Sequence, residues 1–262
     1  MWVTSFSISA SFTSGFKTNS GAIEGAGQGC RKAGSACVLG GYMATFHLVV
    51  ANKNYSSWSL RAWIAMREFA IPFTETVIAL DLPNTQRQIK KHTGAGRLPV
   101  LHHGTTTIWE SLAILEYLAE KFPDKALWPR FGAARAMARA VANEMHAGFR
   151  ALRGACPMNL KRPSKPLARP ISDEVKSDIR RIETLWEECR KANAKGGPFL
   201  FGKFSIADAM YAPVVTRFDT YALKVGSGAR DYMDAIMSTE AFRAWKADAL
   251  QETWIIQADE VN

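Results

Sequence analysis

The spacing of apolar residues changes once along this chain of 262 residues, near Phe122. Before that point, short β-rich runs alternate with helical stripes in the order β-α-β and then β-β-α. From Phe131 onward the spacing is helical almost throughout. Helices are expected there over residues 133–152, 173–194, 205–221 and 237–249. The sequence therefore predicts an α/β module followed by an all-α module.

Residues 1–43 differ in composition from the rest of the chain. They hold eight of the 19 glycines together with seven serines, and only four of them are charged. We expect this stretch to be either a disordered extension or a mis-annotated start ahead of Met43, with a targeting segment as the alternative. The expected domains are then residues 44–123 and 131–262, joined by a linker over 124–130.

Several classes of partner are unexpected for this chain. No run approaches the roughly 20 apolar residues of a membrane span. The net charge of +9 favours anionic partners, but no nucleic-acid-binding motif accompanies it. Cys30, Cys37, Cys156 and Cys189 lack metal-ligand spacing. We therefore expect no membrane, nucleic-acid or metal partner, and free thiols in a reducing, cytoplasmic setting.

Four short motifs follow one another along the chain. They are Tyr55-Ser-Ser-Trp-Ser-Leu-Arg61, Gly94-Ala-Gly-Arg-Leu-Pro-Val-Leu101, Trp109-Glu-Ser111 and Phe204-Ser-Ile-Ala-Asp208. The last of these has the pattern of a helix-capping box. With the four motifs in register, the chain after Met43 resembles the soluble glutathione transferase superfamily, nearest to its serine-type zeta and theta-like members.

This resemblance implies a thioredoxin-like α/β first domain and an all-α second domain. It also implies glutathione as co-substrate, a small electrophilic molecule as second substrate, a detoxification role and a twofold homodimer. Pro99 matches the cis-proline of the family. Two departures stand out: Thr93-Gly94 replaces the usual Asn-Pro, and Trp58 stands where the zeta class has cysteine.

The first motif holds the expected catalytic group. A hydroxyl donor at a helix N-terminus stabilises a thiolate over a thiol, and Ser56 precedes the first predicted helix. We expect Ser56 to be this donor. Ser57 is the neighbouring alternative, Tyr55 is a second alternative, and a plain helix cap is the structural explanation of Ser56.

The second and third motifs hold the expected glutathione-binding residues. Ser111 begins a helix, where a hydroxyl and backbone N–H groups suit a carboxylate, and Glu110 could accept from the ammonium. Leu98, beside Pro99, would offer its main chain to the cysteinyl part of the peptide. Further candidates for the glycyl carboxylate are Arg97 and His92.

The second substrate is expected to lie against the first helix of the all-α module and the segment after it. Met158 and Asn159 in that segment, together with Arg61, are candidate substrate-binding residues. Arg61 could equally form an ion pair between the domains. The surrounding basic residues would draw acidic substrates or cover the site; they are Arg153, Lys161, Arg162, Lys165 and Arg169.

The first expectation for function is conjugation of glutathione to an electrophile. A zeta-like cis/trans isomerase of the maleylacetoacetate type would also suit a basic entrance and an acidic substrate. A non-catalytic binding protein with the same fold is the third alternative.

Overall fold

A computed structural model describes residues 45–262 of the chain, so the expectation for residues 1–43 lies outside the described range. The first elements are β1 (Phe46–Ala51), α1 (Ser57–Glu68), β2 (Phe73–Ile78), α2 (Thr85–Ile89), β3 (Val100–His103), β4 (Thr106–Trp109) and α3 (Ser111–Lys121). The helices that follow are α4 (Gly132–Ala147), α5 (Arg150–Ala155), α6 (Asp173–Asn193), α7 (Ile206–Thr220), α8 (Ser227–Ser238) and α9 (Glu240–Gln251). The predicted fold class, an α/β region followed by helices, is confirmed.

The four strands form one mixed sheet in the order β2-β1-β3-β4. β1 pairs in parallel with β2, and β3 pairs antiparallel with both β1 and β4. Gly104 lies at positive φ in the turn between β3 and β4, a conformation that glycine adopts without strain. The predicted hairpin is therefore present.

The sheet buries both of its faces because successive side chains point to opposite sides. Phe46, Leu48 and Val50 pack into the main core with α1 and α3. Val49 and Val100 pack instead with Ile89 of α2. The first turn of α1 is thus held at the end of β1, where the sheet meets the helices.

Helix α7 is buried along nearly its whole length and contacts both α1 and α4. It begins with a complete capping box between Ser205 and Asp208, as the sequence predicts. Trp186 of α6 packs against the aromatic rings of Tyr211 and Phe218 on α7. This helix connects the α/β region to the helical region through one continuous core.

Three helix predictions need correction. The region expected to be one helix, residues 133–152, forms two helices. Phe149 adopts a left-handed backbone conformation (φ 54°), which separates the second helix from the first. The helix expected over 237–249 begins at Glu240 instead and is α9. The sequence does not predict α8, because Gly226 and Gly228 weaken its helical pattern. The short α2 was read as a polar segment, since only Thr85 and Ile89 in it are buried.

Other features of the described part can be stated briefly. Among residues 45–262, no helix is both long and apolar enough to cross a membrane. The same range holds no group of three or more His, Cys, Asp or Glu side chains arranged for a metal ion. Cys156 and Cys189 are free and buried. All described residues belong to one compact unit, so the two-domain division stays a prediction.

Three histidine rings lie close together on the α2 side of the sheet. His47 on β1 and His102 on β3 have ring centroids 6.2 Å apart, and His92 lies 5.6 Å from His102. Burial and the neighbouring histidines lower the pKa of His92 and of His102 below the ordinary 6.5, and Lys91 also lowers the pKa of His92. Protonation of His92 and His102 therefore changes the free energy of unfolding.

Acidification from about pH 7.5 to about pH 5.5 is expected to lower the contribution of His92 and His102 to the free energy of unfolding. These histidines have ordinary pKa values in the unfolded chain, so they bind more protons there than in the folded chain, and their contribution to stability falls as the pH falls. Urea denaturation at both pH values measures the loss. We expect the His92→Gln variant to lose less stability over the same interval, and an equal loss in both proteins would contradict this account.

Candidate active site

Ser56 caps the N-terminus of α1. Its Oγ accepts a hydrogen bond from the backbone N–H of Ser59 at 3.3 Å and lies 2.8 Å from the Oγ of Ser59. The Oγ of Ser59 in turn accepts from the N–H of Ala51 at the end of β1, at 3.0 Å. The first turn of α1 is thereby tied to the sheet, and the Ser56 hydroxyl is held in place by two partners.

Two cavities open beside this helix end, and Ser56 lines both of them. The smaller, the cis-proline cavity, has a volume of about 480 Å³ and is bordered by Leu98, Pro99 and Ser111. The larger, the arginine cavity, has a volume of about 660 Å³ and is bordered by Arg150, Arg153 and Arg217. Trp58, Leu80 and His146 line both cavities. Ser56 therefore stands where the two spaces meet.

The neighbours of Ser56 have different surroundings. Ser57 lines only the arginine cavity, and Ser59 is fully buried and lines neither cavity. Tyr55 lines the arginine cavity, but its hydroxyl donates to Oε1 of Glu260 at 2.5 Å. Burial and the Glu260 carboxylate raise the pKa of Tyr55 to about 12. The Tyr55 hydroxyl therefore donates to a charged carboxylate, whereas the Ser56 hydroxyl donates to the neutral hydroxyl of Ser59.

The cis-proline cavity brings together most of the residues expected to hold a peptide ligand. The Leu98–Pro99 peptide bond is cis, as the motif predicts. Leu98, Pro99, Arg97, Glu110 and Ser111 all line this cavity. Nη1 of Arg97 lies 3.8 Å from Oε1 of Glu110. One wall therefore carries both a carboxylate and a guanidinium.

Ser111 and Glu110 show two signs of a binding site. The Oγ of Ser111 is buried and has no hydrogen-bond partner within the described structure. Buried polar atoms are rarely left unpaired without a reason. Glu110 has a positive φ of 67°, a strained conformation for a residue with a side chain, and such strain is concentrated at functional sites. Both residues lie at the N-terminus of α3, which favours an anion.

Three of the expected site residues lie away from both cavities. His92 lies in the histidine cluster, because the turn after α2 brings its ring toward His47 and His102. Asn159 is buried and bonds to Asn54 and Glu260. Arg61 is 1% exposed and lies 4.2 Å from the Trp58 ring centroid, behind the cavity wall. By contrast, Met158 lines the arginine cavity.

The basic residues near the predicted entrance also separate into two sets. Arg153 lines the arginine cavity, with its guanidinium 4.8 Å from the Trp58 ring centroid. Lys161 and Arg162 donate instead to the main chain of the C-terminal segment, at Glu252 and Val261. Arg169 borders a separate cavity, and the backbone N–H of Lys165 donates to the carbonyl of Thr220.

Sequence reasoning missed several cavity residues, namely Trp58, Gln86, His146, Arg150 and Arg217 as lining groups. Trp58 was noted only as a departure from the zeta pattern. Of these residues, Arg217 is the one that the sequence could have indicated as unusual, because it is a charged residue inside a mostly apolar stretch of α7.

Comparisons with known proteins agree with this arrangement. The sequence model of the glutathione S-transferase N-terminal domain matches residues 55–121, and that of the C-terminal domain matches residues 169–247. Together they cover more than half of the chain. Protein IN2-1 of Zea mays is 25% identical over 205 residues, which are 75% of this chain and 79% of that protein.

Two further matches extend the comparison. A probable maleylacetoacetate isomerase of Caenorhabditis elegans is 30% identical over 100 residues, which are 38% of this chain and 46% of that protein. The solved structure of a glutathione transferase homolog from Burkholderia GL BGR1, with bound glutathione, shares the fold at a TM-score of 0.62 and 20% identity, covering 79% of this chain and 100% of that one. On the two domain matches, the chain belongs to the glutathione S-transferase superfamily.

Proposed function

We propose that this chain is a glutathione transferase in which Ser56 stabilises the glutathione thiolate. The observation that carries the proposal is the position of Ser56 at the N-terminus of α1, on the boundary shared by both cavities. A thiol held there faces a hydroxyl donor and the positive end of a helix. The family matches and the glutathione bound to the Burkholderia homolog support glutathione as the ligand.

The hydroxyl of Ser56 can turn toward a ligand. In the structure Ser56 Oγ donates to Ser59 Oγ, which also accepts from the Ala51 N–H. A hydroxyl hydrogen rotates to suit its partners, so Ser56 would donate to a bound sulfur while the Ser59 hydroxyl donates to Ser56 Oγ, which also accepts from the Ser59 N–H. Hydrogen bonds in such a chain polarise one another, so Ser56 would then be a stronger donor. Ser59 acts here as a positioning residue.

The rest of glutathione would occupy the cis-proline cavity. Its γ-glutamyl carboxylate would accept from Ser111 Oγ and from N–H groups at the start of α3, and its ammonium would donate to Glu110. The main chain of Leu98 would pair with the cysteinyl unit. Arg97 is left for the glycyl carboxylate. Each charged end of the peptide then meets a group of opposite charge or a hydrogen-bond donor.

The reaction follows from this placement. The free thiol has a pKa of about 8.5 and is mostly protonated at neutral pH. Bound glutathione releases that proton to water, and its thiolate attacks an electrophilic carbon in the arginine cavity. A carbon–sulfur bond forms, and the leaving group departs with the electron pair of the bond that breaks. In an addition reaction, the resulting carbanion takes a proton from water instead.

Replacement of Ser111 by alanine is expected to weaken glutathione binding by about tenfold or more, because a hydrogen bond to a charged group contributes about 1.5–3 kcal/mol. Calorimetric titration measures this change. Cysteinylglycine, which lacks the γ-glutamyl carboxylate, serves as the control ligand, and its affinity should be nearly the same for both proteins. An equal loss for the two ligands would place Ser111 outside the carboxylate site.

The isomerase is the second candidate, and the basic lining of the arginine cavity favours it. An isomerase regenerates glutathione in every cycle, whereas a transferase consumes it. The test therefore measures free thiol during turnover with a chloronitrobenzene and with maleylacetoacetate. Loss of thiol with the first compound supports the transferase. Isomerisation of the second compound without loss of thiol would favour the isomerase. The absence of both reactions would favour a binding protein.

The family resemblance also motivates two subsidiary proposals, a twofold homodimer and a cytoplasmic location. Sedimentation of the full chain tests the first, with a mass near twice 28.9 kDa expected for the dimer.

A further inference from the structure

The arginine cavity has an unusual charge balance. Three guanidinium groups line it, from Arg150, Arg153 and Arg217, together with the ring of His146. Asp259 is the single carboxylate among the lining residues. Among the ion pairs found within residues 45–262, none involves these three arginines, so none of them has a carboxylate within 4.0 Å. Nε2 of His146 lies 4.0 Å from Oε2 of Glu110.

A fourth arginine adds positive charge behind the wall of the cavity. Arg61 is buried beneath Trp58, and its Nε and Nη1 have no hydrogen-bond partner in the described part of the chain. Burial and the charges of Arg217 and Arg153 lower the pKa of Arg61. Like charges gathered in a poorly solvated region are costly unless an opposite charge is present. The cluster therefore favours an anion from outside the chain.

The arginines are also held in fixed positions. Arg217 is 4% exposed and donates from Nε to the carbonyl of Cys156 at 2.9 Å and from Nη1 to the carbonyl of Pro213 at 3.0 Å. Nη1 of Arg153 donates to the carbonyl of Gly148 at 3.3 Å. Bonds to neutral carbonyls orient these side chains without neutralising them. A guanidinium oriented in this way suits a planar carboxylate.

We propose that the arginine cavity binds the carboxylate of an anionic electrophile, with the reacting carbon facing Ser56. This inference rests on the proposed function and gives the class of its second substrate. Ser56 and Ser57 line the same cavity as Arg153 and Arg217, so one small molecule can reach both the thiolate and the arginines. Trp58 provides an apolar ring surface between them.

Two electrophiles of the same shape test this proposal. 4-Chloro-3-nitrobenzoate carries a carboxylate, and 4-chloro-3-nitrobenzamide carries a neutral amide at the same position. In both, the glutathione thiolate displaces chloride. Each kcat/KM is divided by the uncatalysed rate constant with glutathione, which removes the difference in intrinsic reactivity. The full chain is expected to prefer the benzoate by about tenfold or more, as for a charge-assisted hydrogen-bonded pair.

The Arg153→Gln variant is expected to lose most of this preference, measured as the ratio of its two normalised kcat/KM values, and its urea denaturation midpoint, compared with that of the wild-type chain, shows whether the variant is folded. Arg243→Gln is the matched control, because Arg243 is exposed on α9 and lines neither cavity. It removes the same charge and should retain the preference. Equal normalised values for the two electrophiles would overturn the inference and leave the transferase proposal standing.

A binding measurement covers the case in which neither compound is conjugated, an outcome that would remove the proposed function. The two glutathione conjugates, prepared chemically, are titrated into the full chain. Tighter binding of the carboxylate conjugate, weakened by Arg153→Gln and by added salt, would support the anion site by itself. Equal affinities for the two conjugates, or no binding of either, would overturn it.

Discussion

Replacing Ser56 by alanine is expected to lower kcat/KM for conjugation at pH 7 by about twenty-fivefold, while the affinity for glutathione stays within a few-fold. Loss of the hydroxyl donor returns the pKa of the bound thiol from about 6.5 toward its free value of about 8.5. A shift of about two pKa units corresponds to roughly 2.7 kcal/mol, and it lowers the thiolate fraction about twenty-fivefold at pH 7 and about a hundredfold well below pH 6.5. The pH dependence of kcat measures the shift directly.

Three variants of neighbouring residues show whether this effect belongs to Ser56. Ser57→Ala removes a hydroxyl that lines only the arginine cavity, and it should change kcat/KM by no more than a few-fold. Tyr55→Phe should likewise change kcat/KM by no more than a few-fold, because the Tyr55 hydroxyl donates to Glu260. Ser59→Ala should give an intermediate loss, since Ser59 positions the Ser56 hydroxyl. A loss of about twenty-fivefold at pH 7 in Ser57→Ala, with none in Ser56→Ala, would transfer the role to Ser57.

The largest loss of stability is expected from Asp208→Ala. The buried carboxylate of Asp208 accepts from the N–H of Leu200 at 3.0 Å and from both the N–H and the hydroxyl of Ser205 at 2.8 Å. Alanine would leave these buried donors unpaired at the start of α7. At about 1–3 kcal/mol for each of the three unpaired donors, the expected loss is about 3 kcal/mol or more. Urea denaturation of the full chain measures it.

Two companion variants show how much of this loss of stability comes from the capping hydroxyl of Ser205 and how much from the charge of Asp208. Ser205→Ala removes the capping hydroxyl and should cost only about 1 kcal/mol. Asp208→Asn keeps an acceptor and should fall between the two. Burial raises the pKa of Asp208 to about 6, so between about pH 4 and pH 6 this carboxyl group is more protonated in the folded chain than in the unfolded chain. The contribution of Asp208 to the stability of the wild-type chain then falls as the pH rises. The free energy of unfolding that Asp208→Asn loses relative to the wild type should therefore be smaller at pH 7 than at pH 5. A loss below 1 kcal/mol for Asp208→Ala would contradict the account of the α7 cap.

Much of the α/β region could be predicted because its signals are local. The apolar alternation in β1 and the polar turn before α1 indicate a strand and a helix without knowledge of the rest of the chain. The resemblance of the motif around Pro99 to the family's pattern implies the cis peptide bond that the structure has at Leu98–Pro99. Ser56 and Ser111 could be found in the same way, since each directly precedes or begins a helix.

The arginine cavity could not be predicted because its wall comes from distant parts of the chain. Arg153 on α5 and Arg217 on α7 are brought together by packing of helices, which no local pattern describes. The interruption at Phe149, which makes α5 a separate helix, depends on a left-handed residue that apolar periodicity does not mark. The position of His92 outside the cis-proline cavity could not be predicted for a similar reason, because only the path of the turn after α2 determines the side to which its ring points.

The central claim is that bound glutathione is a thiolate stabilised by Ser56. Calorimetric titration of glutathione into the full chain, in buffers of different ionisation heat at two pH values about one unit apart, counts the protons released on binding. The account predicts saturable binding with release of about 0.7 proton per glutathione near pH 7, the amount that a shift of about two pKa units from 8.5 gives, and much smaller release in Ser56→Ala. Binding without proton release, or the same release in both proteins, would contradict it.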